Sequence, residues 1–433
     1  MAQEHSSDNS LNQGNSREGN VPPLQTPQHE SGEIRPTLLD RMQARQSALL
    51  AANRLADDAG ERSEGGETLE QIDGQQPVRS RDSILRRRWR KFKSLKRGYY
   101  SFILLIVLYV FSFFLPLFVN NLPLMVSYNG ETYFPAFADL IGSPYYSWET
   151  FGRPGDQSFV NFHELQKQIE SDASSENSIL MPLYSWDPYE ADYEEGVPPT
   201  APSSRHVLGT DQTGRDVLAR ICYGFNISIS FGLILTFITF FLGTLFGSLM
   251  GYFGGKFDLV VQRGIEVWQT LPGLYVIIIV SSIIIPNFFV LILLLSAFGW
   301  MGMTYFMRGE FYREKARDYV AAAVSLGTKD SAIIFKHILP NSLTPLIATF
   351  PFAVVAGITS LVSLDFLGYG LPPPTPSWGE MLSIGLNEFS GNFQNWWLVI
   401  IPVTAMFFTL LMVTFIGEAI REAFDPKVFS RLR

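Results

Sequence analysis

Tyr319-Val-Ala-Ala-Ala-Val-Ser-Leu-Gly327, followed by His337-Ile-Leu-Pro-Asn341, is the stretch on which the reading of this chain turns. Residues 319–326 read as a helix whose three alanines, Ala321, Ala322 and Ala323, leave a smooth surface able to seat in a groove. Gly327 ends that helix, as glycine does at a C-terminal cap. Asp330 or Ser331 can cap a second helix, Ala332–Leu339, which Pro340 and Asn341 are expected to end. The result is a helix–glycine–helix elbow with an Ala/Leu tip and a basic rim. A docking knob has this composition, and so does a solvated connector.

The elbow sits between apolar runs. The chain has 433 residues, of which 47% are hydrophobic and 17% charged, but the two kinds are segregated. Residues 1–80 are rich in Ser, Asn, Gln, Glu, Gly and Pro, and read as a disordered tail, with at most a short amphipathic helix within Ile34 to Leu55. A basic cluster follows: Arg81, Arg86, Arg87, Arg88, Arg90, Lys91, Lys93, Lys96 and Arg97. It abuts the uncharged run Tyr99–Val119. Nucleic-acid binding is one reading of such a cluster. Its place beside an apolar span favours retention of the N-terminus in the cytoplasm instead.

Five more apolar runs lie near 227–250, 271–285, 288–307, 346–367 and 396–417. The run 271–285 is short for a span of about 20 residues. It is expected to start nearer Ile265 and to turn back at Pro286-Asn287. Six spans from a cytoplasmic start place 120–205 outside, where Arg153, Lys167 and Arg205 face thirteen acids. Residues 368–395, also outside, contain no Lys or Arg. The 308–345 loop falls inside with Arg308, Arg313, Lys315, Arg317, Lys329 and Lys336. The C-terminal tail falls inside with Arg421, Lys427, Arg431 and Arg433. The pattern obeys the positive-inside rule. The expected fold is therefore an all-α membrane protein with six transmembrane helices. Its segments are the tail 1–80, a basic segment and first span 81–119, an outer acidic loop 120–205, and a five-helix core 206–427 carrying the loop 308–345.

Several chemistries are disfavoured. The single Cys222 permits no internal disulfide, and the histidines at 5, 29, 163, 206 and 337 show no metal-ligand spacing. The later spans carry no Asp, Glu, Lys or Arg through their centres, which argues against a proton-driven carrier but leaves open a carrier using backbone carbonyls. Gly243 and Gly247 form a G-x-x-x-G, read as ordinary intramembrane packing rather than a dimerisation face. The nearest approach to a Walker A loop, around Gly255-Lys256, has Met250 where a glycine is needed and Phe257 where Ser or Thr is needed. No cofactor is expected in this chain. Trp148, Tyr145, Tyr146, Tyr184, Trp186, Tyr189 and Tyr193 in the outer loop form either a docking surface or that loop's own core.

The quoted stretch, with the spacing from Gly327 to Leu339-Pro340, resembles the "EAA" motif of ABC importer permeases. Three further segments resemble the second, C-type subunit of dipeptide and oligopeptide permeases. They are His206-Val-Leu-Gly-Thr-Asp211 through Gly214-Arg215-Asp216, Ser363 through Trp378-Gly379, and Gly417 through Asp425-Pro426. Tyr128-Asn-Gly-Glu-Thr-Tyr-Phe-Pro135 is similar to the branch importing oligopeptides and microcin C-like peptides. The tail is longer than that family's usual short one. The resemblance implies a bacterial inner-membrane permease of the binding-protein-dependent type, with both termini cytoplasmic. It also implies four kinds of partner: a homologous second permease, ABC ATPase subunits that bind ATP, a periplasmic binding protein, and membrane lipid. Contact with the ATPase would fall on Ala321, Ala322, Ala323, Leu326, Gly327, Ile338, Leu339 and Pro340. The motif's glutamate falls on Ala321, so Glu314 or Asp318 would have to supply any acid. A membrane-anchored sensor or scaffold and an ion-coupled carrier are the rival readings; neither accounts for the elbow motif.

Overall fold

A computed structural model describes residues 84–142, 146–171, 176–391 and 393–425. The tail 1–80 with its Ile34–Leu55 segment, Arg81, Tyr145, and Pro426, Lys427, Arg431 and Arg433 lie outside the described residues.

Helix α1 (Ile84–Ser94) carries Arg86 to Lys93 of the basic cluster and meets α2 (Lys96–Ser112), which carries Lys96 and Arg97, at Leu95 with a bend of 97°. Phe92 of α1 is buried against Ala419 and Ala423, Lys91 pairs with Glu422 at 2.9 Å, and the Arg88 guanidinium lies 4.5 Å over the Phe424 ring. A short α3 (Leu115–Phe118) follows, so the first apolar run is broken before its expected end at Val119.

The architecture is mostly helical, and the loop 120–205 adds a small sheet to it. β1 (Met125–Tyr128), β2 (Glu131–Tyr133) and β3 (Ser178–Leu180) form an antiparallel sheet in the order β2-β1-β3. Asn129 and Gly130, both at positive φ, join β1 to β2. Asn-Gly between extended segments favours a two-residue hairpin for that reason. Helices α4 (Pro135–Leu140) and α5 (Phe162–Ser171) complete the loop. Val126, Trp148, Phe151, Phe162 and Leu165 form its core, with Tyr146 packed against it. Trp186 is buried as well, Tyr184 is tied to Asp216, and Tyr189 and Tyr193 are exposed. The loop aromatics thus divide between a core and a surface.

Beyond the loop come α6 (Val217–Phe253), α7 (Gly255–Gln269), α8 (Gly273–Ile283) and α9 (Phe288–Lys315). The elbow helices are α10 (Asp318–Ser325) and α11 (Asp330–Ala332). A π-helical turn (Ile333–Ile338) then leads into α12 (Leu339–Phe366), followed by α13 (Trp378–Gly391) and α14 (Trp397–Phe424). Asp216 caps α6, accepting from Ala219 N at 2.7 Å. Asn287 caps α9, accepting from Val290 N at 2.9 Å, so the expected turn at Pro286-Asn287 is present. Among the described residues, four continuous helical stretches are long and apolar enough to cross a membrane: Val217–Phe253, Phe288–Lys315, Asp330–Phe366 and Phe393–Phe424. There are six if the bent pairs α1–α2 and α7–α8 each count as one. The α7–α8 bend is 65°, at Pro272. With 11 residues, α8 rises only about 16 Å, and α7 extends it from Gly255, earlier than the expected Ile265, which is buried inside α7.

Two of the several apolar clusters within the bundle join α6 to its neighbours. One joins Val217 and Ile229 of α6, Val354 and Ile358 of α12, Trp378 of α13 and Trp397 of α14. The other lies at the elbow end and joins Phe240 and Tyr252 of α6, Met307 and Phe311 of α9, and Val320, Ile334 and Ile338. Between α6 and α9 the backbones touch. A Cβ on Gly243, Gly247 or Gly251 would lie 2.5 Å from Met303 Cβ, Thr304 O or Phe311 Cβ respectively. The G-x-x-x-G is therefore used within the chain. Replacing Gly247 by Leu should force α6 and α9 apart and cost about 1–3 kcal/mol as overpacking. The check is thermal melting of purified protein, with Gly264→Leu, which has open space at its Cβ, expected to melt like the native chain.

Candidate functional site

The elbow projects from one end of the bundle. Val324, Leu326 and Phe335 stand on it at 58%, 85% and 60% exposure. Beneath them Val320, Ala323, Ile333, Ile334 and Ile338 are buried. Gly327 has φ of 70°, a left-handed conformation that costs an L side chain about 1 kcal/mol, and it closes α10. Tyr252 at the end of α6 donates to Asp330 at 2.5 Å, and Lys315 donates to the Tyr252 carbonyl. Tyr319 donates to Glu314 at 2.9 Å; burial, then that bond, raises its pKa.

The eight residues singled out from sequence separate into two sets. Ala321, Ala322, Leu326, Gly327 and Pro340 are exposed; Leu339 is half-buried; Ala323 and Ile338 are buried in the elbow's own core. Ala323 and Ile338 shape the surface without forming it. Val324 and Phe335 belong to the exposed tip and were missed; the apolar residue at the end of α10 and the lone aromatic of 330–338 were the available signals. Two further expectations are corrected. Pro340 and Asn341 do not end the second helix, because the helical path runs unbroken from Asp330 to Phe366. The turn before Pro340 widens so that Leu339 N bonds to Ile334 O, and a widened turn relieves the proline's clash with the preceding carbonyl. Glu314 offers no surface acid either: it is buried, bonded to Tyr319 and paired with Arg317 at 3.0 Å.

At the opposite end of α6, the loop 120–205 closes on the bundle through buried charge. His206, 1% exposed, lies between Asp216 (Nδ1, 2.9 Å) and Asp192 (Nε2, 3.1 Å). Trp186 packs on its ring, and Arg205 pairs with Asp192 at 2.5 Å. Burial opposes charge on His206, but the hydrogen bonds to Asp216 and Asp192 outweigh it and its pKa is raised. Nearby, burial pushes Glu190 up to about 7 and also raises Asp187, while it lowers His163. Arg220 of α6 reaches Glu380 of α13 at 2.5 Å and the carbonyls of Pro188 and Pro374 at 3.3 and 3.4 Å. The segment 206–216, read from sequence only as a resemblance, is thus the hub joining loop, α6 and α13.

A helical membrane bundle with an elbow between its second and third long helices is the architecture of an ABC importer's membrane subunit, and this protein is a multi-pass inner-membrane permease subunit of that class. The chain belongs to the family of binding-protein-dependent transport system inner membrane components, whose model matches residues 243–430. It is 40% identical over 341 residues to the inner membrane ABC transporter permease protein YejE of Escherichia coli, covering 78% of this chain and 96% of the relative. It is 36% identical over 372 residues to the peptidoglycan transport system permease protein YejE of Agrobacterium fabrum, covering 79% and 93%. The dipeptide transport system permease protein DppC of Bacillus subtilis is 36% identical over 237 residues, covering 54% and 72%.

The outer cluster should respond to pH. His206, with its pKa raised above the ordinary 6.5, stabilises the fold fully below that value and loses the contribution as pH rises through its folded pKa. Glu190 acts in the same direction, its contribution fading between 4.5 and about 7, and Asp187 fades from 3.8 upward. His163, lowered from 6.5, works oppositely but only below 6.5. Hydrogen exchange in 184–216 should therefore quicken as pH is raised above 6.5, after correction for intrinsic rate. His206→Gln should remove most of that dependence.

Proposed function

We propose that this chain forms half of the path of an ATP-driven peptide importer and is driven through its elbow by an ATPase subunit. The observation that carries the proposal is the elbow: an exposed apolar tip of Val324, Leu326 and Phe335 on a buried core, continuous with the long helix ending at Phe366. Such a tip is costly to leave in water and suits a partner's groove. Ala321, Ala322, Leu326 and Gly327 then lie at the contact. ATP is bound and hydrolysed by the partner, and this chain contributes differential stabilisation of inward- and outward-open states. A homologous second permease completes the path. On this side a groove of about 630 Å³ between α6, α8, α9 and α12 is lined by Thr236, Thr239, Thr359, Ser360 and Ser363, of which Thr359 and Ser363 are exposed. Uncharged hydroxyls of this kind suit a peptide backbone.

The relatives named for dipeptide, oligopeptide and peptidoglycan transport support a peptide-bearing cargo; microcin C-like peptides fall in that class. A periplasmic binding protein would deliver it to the outer loop, where Tyr189 and Tyr193 are exposed. The basic residues of α1 and of 308–345 support a cytoplasmic elbow and cytoplasmic termini.

Leu326→Asp should leave membrane levels unchanged, since the side chain touches solvent, and should lower peptide uptake by reconstituted vesicles at least about tenfold, because a charge would enter a desolvated contact. Wild-type uptake by that variant would refute the coupling role. Orientation is checked in a Cys222→Ala background. Thr328→Cys should react with an impermeant thiol reagent only from the cytoplasmic face, and Leu183→Cys only from the outer face.

A further inference from the structure

The elbow's charges are mostly consumed within the chain. Arg313 pairs with Glu310, and Arg317 with Glu314 at 3.0 Å. Lys315 is spent on the Tyr252 carbonyl and ring. Among the acids, Glu314 is buried and Asp330 accepts from Tyr252 at 2.5 Å. Three charged side chains of 318–340 remain exposed with no hydrogen-bond or ion-pair partner among the described residues: Asp318, Lys329 and Lys336. Asp318 sits in the first turn of α10, where the helix's positive end offsets its charge. Lys329 follows the Leu326–Gly327 turn directly, and Lys336 is next to Phe335. The two unspent cations therefore border the apolar tip, and at Ala321 the same elbow presents a methyl group.

From this charge arrangement we infer that the ATPase groove receiving the elbow has an apolar floor and an acidic rim, the rim facing Lys329 and Lys336. The inference rests on the coupling role proposed above and adds the chemistry of the partner's surface. A floor of apolar side chains takes Leu326, Val324 and Phe335 out of water. Carboxylates at the rim pair with the two lysines, where a cation would be repelled. Rim pairs of this kind act over roughly 8 Å at 0.15 M salt, so the association is salt-sensitive. Ala321 contributes no ionic contact, and the docking does not need one there.

The test uses the full-length permease co-expressed with its ATPase subunits, the complex being captured through a tag on the ATPase across a sodium chloride series. Native permease retention should fall with salt. K329E/K336E should weaken retention about tenfold at low salt, K329Q/K336Q should flatten the salt dependence, and A321E should give no gain. Positions 321, 326, 329 and 336 are all exposed, so the fold is expected to survive in these variants and in L326D, with a native size-exclusion profile as the control. Unchanged retention and salt dependence in K329E/K336E would overturn the acidic rim, as would tighter retention of A321E, which would mean that the groove presents a cation. L326D separates the two levels. If L326D is lost while K329E/K336E is retained, the elbow docks but its rim is not acidic. If L326D is also retained at the native level, the docking role itself falls, and the rim with it.

Discussion

The backbone contact between α6 and α9 sets the position of everything at the elbow end. Three glycines, one per turn of α6, leave no space for a side chain against Met303, Thr304 and Phe311. In lipid, where apolar side chains gain nothing by leaving the solvent, such close approach is a main source of helix association. The consequence is geometric. With α9 held along the whole inner half of α6, its last turn brings Lys315 to the Tyr252 carbonyl, and the Tyr252 hydroxyl meets Asp330 across the gap. The elbow is thereby fastened to α6 at its middle, leaving its tip free.

The two ends of the bundle solve opposite problems. At the outer end charge is buried and matched: His206 between two carboxylates, Arg220 on Glu380 and two carbonyls. Removing one member of such a set leaves an uncompensated buried charge, a far larger penalty than loss of a surface pair. That end is accordingly specified in detail and locks the loop onto α6 and α13. At the elbow end apolar surface is exposed and charge lies at the margin. On the proposed function a partner covers that surface, which is why the same chain looks over-determined at one end and incomplete at the other.

Much of this was legible. Hydrophobic runs gave the long helices because spanning segments must satisfy their backbones internally and so betray themselves by length. Gly327 was readable because few residues other than glycine suit its backbone, and Asn287 because its side chain caps α9. Pro340 misled, since the rule that proline ends a helix assumes α-helical pairing, and a widened turn escapes it. The small sheet is legible only at Asn129-Gly130, because its strands are three or four residues long and β3 lies far along the chain from β2. Ala323 could not be assigned to interior or surface from periodicity, for α10 is only eight residues long and its orientation is set by Ile333, Ile334 and Ile338 from the next element.

The helical path from Asp330 to Phe366 joins the two ends. At about 1.5 Å per residue its 37 residues extend about 55 Å. It starts at the elbow, runs past Gly232 of α6, and finishes where Asp365 accepts from Leu371 N at 2.7 Å and from the Ser377 hydroxyl. Ser377 in turn precedes α13, whose Glu380 holds Arg220. A push on the elbow therefore has a continuous route to the outer end that crosses no flexible loop, since every joint is a helix turn or a buried hydrogen bond. Contiguity alone does not make a coupling pathway; a two-state element is also needed. The π-helical turn is the natural place for it. Its i to i−5 pairing is a minority form of helix, and it sits between the part of the chain a partner would move and the part that lines the groove. A rod with one widened turn at its driven end can transmit displacement along its axis while its tip rotates. On the proposed function, those are the two motions an elbow seated in a moving partner must reconcile.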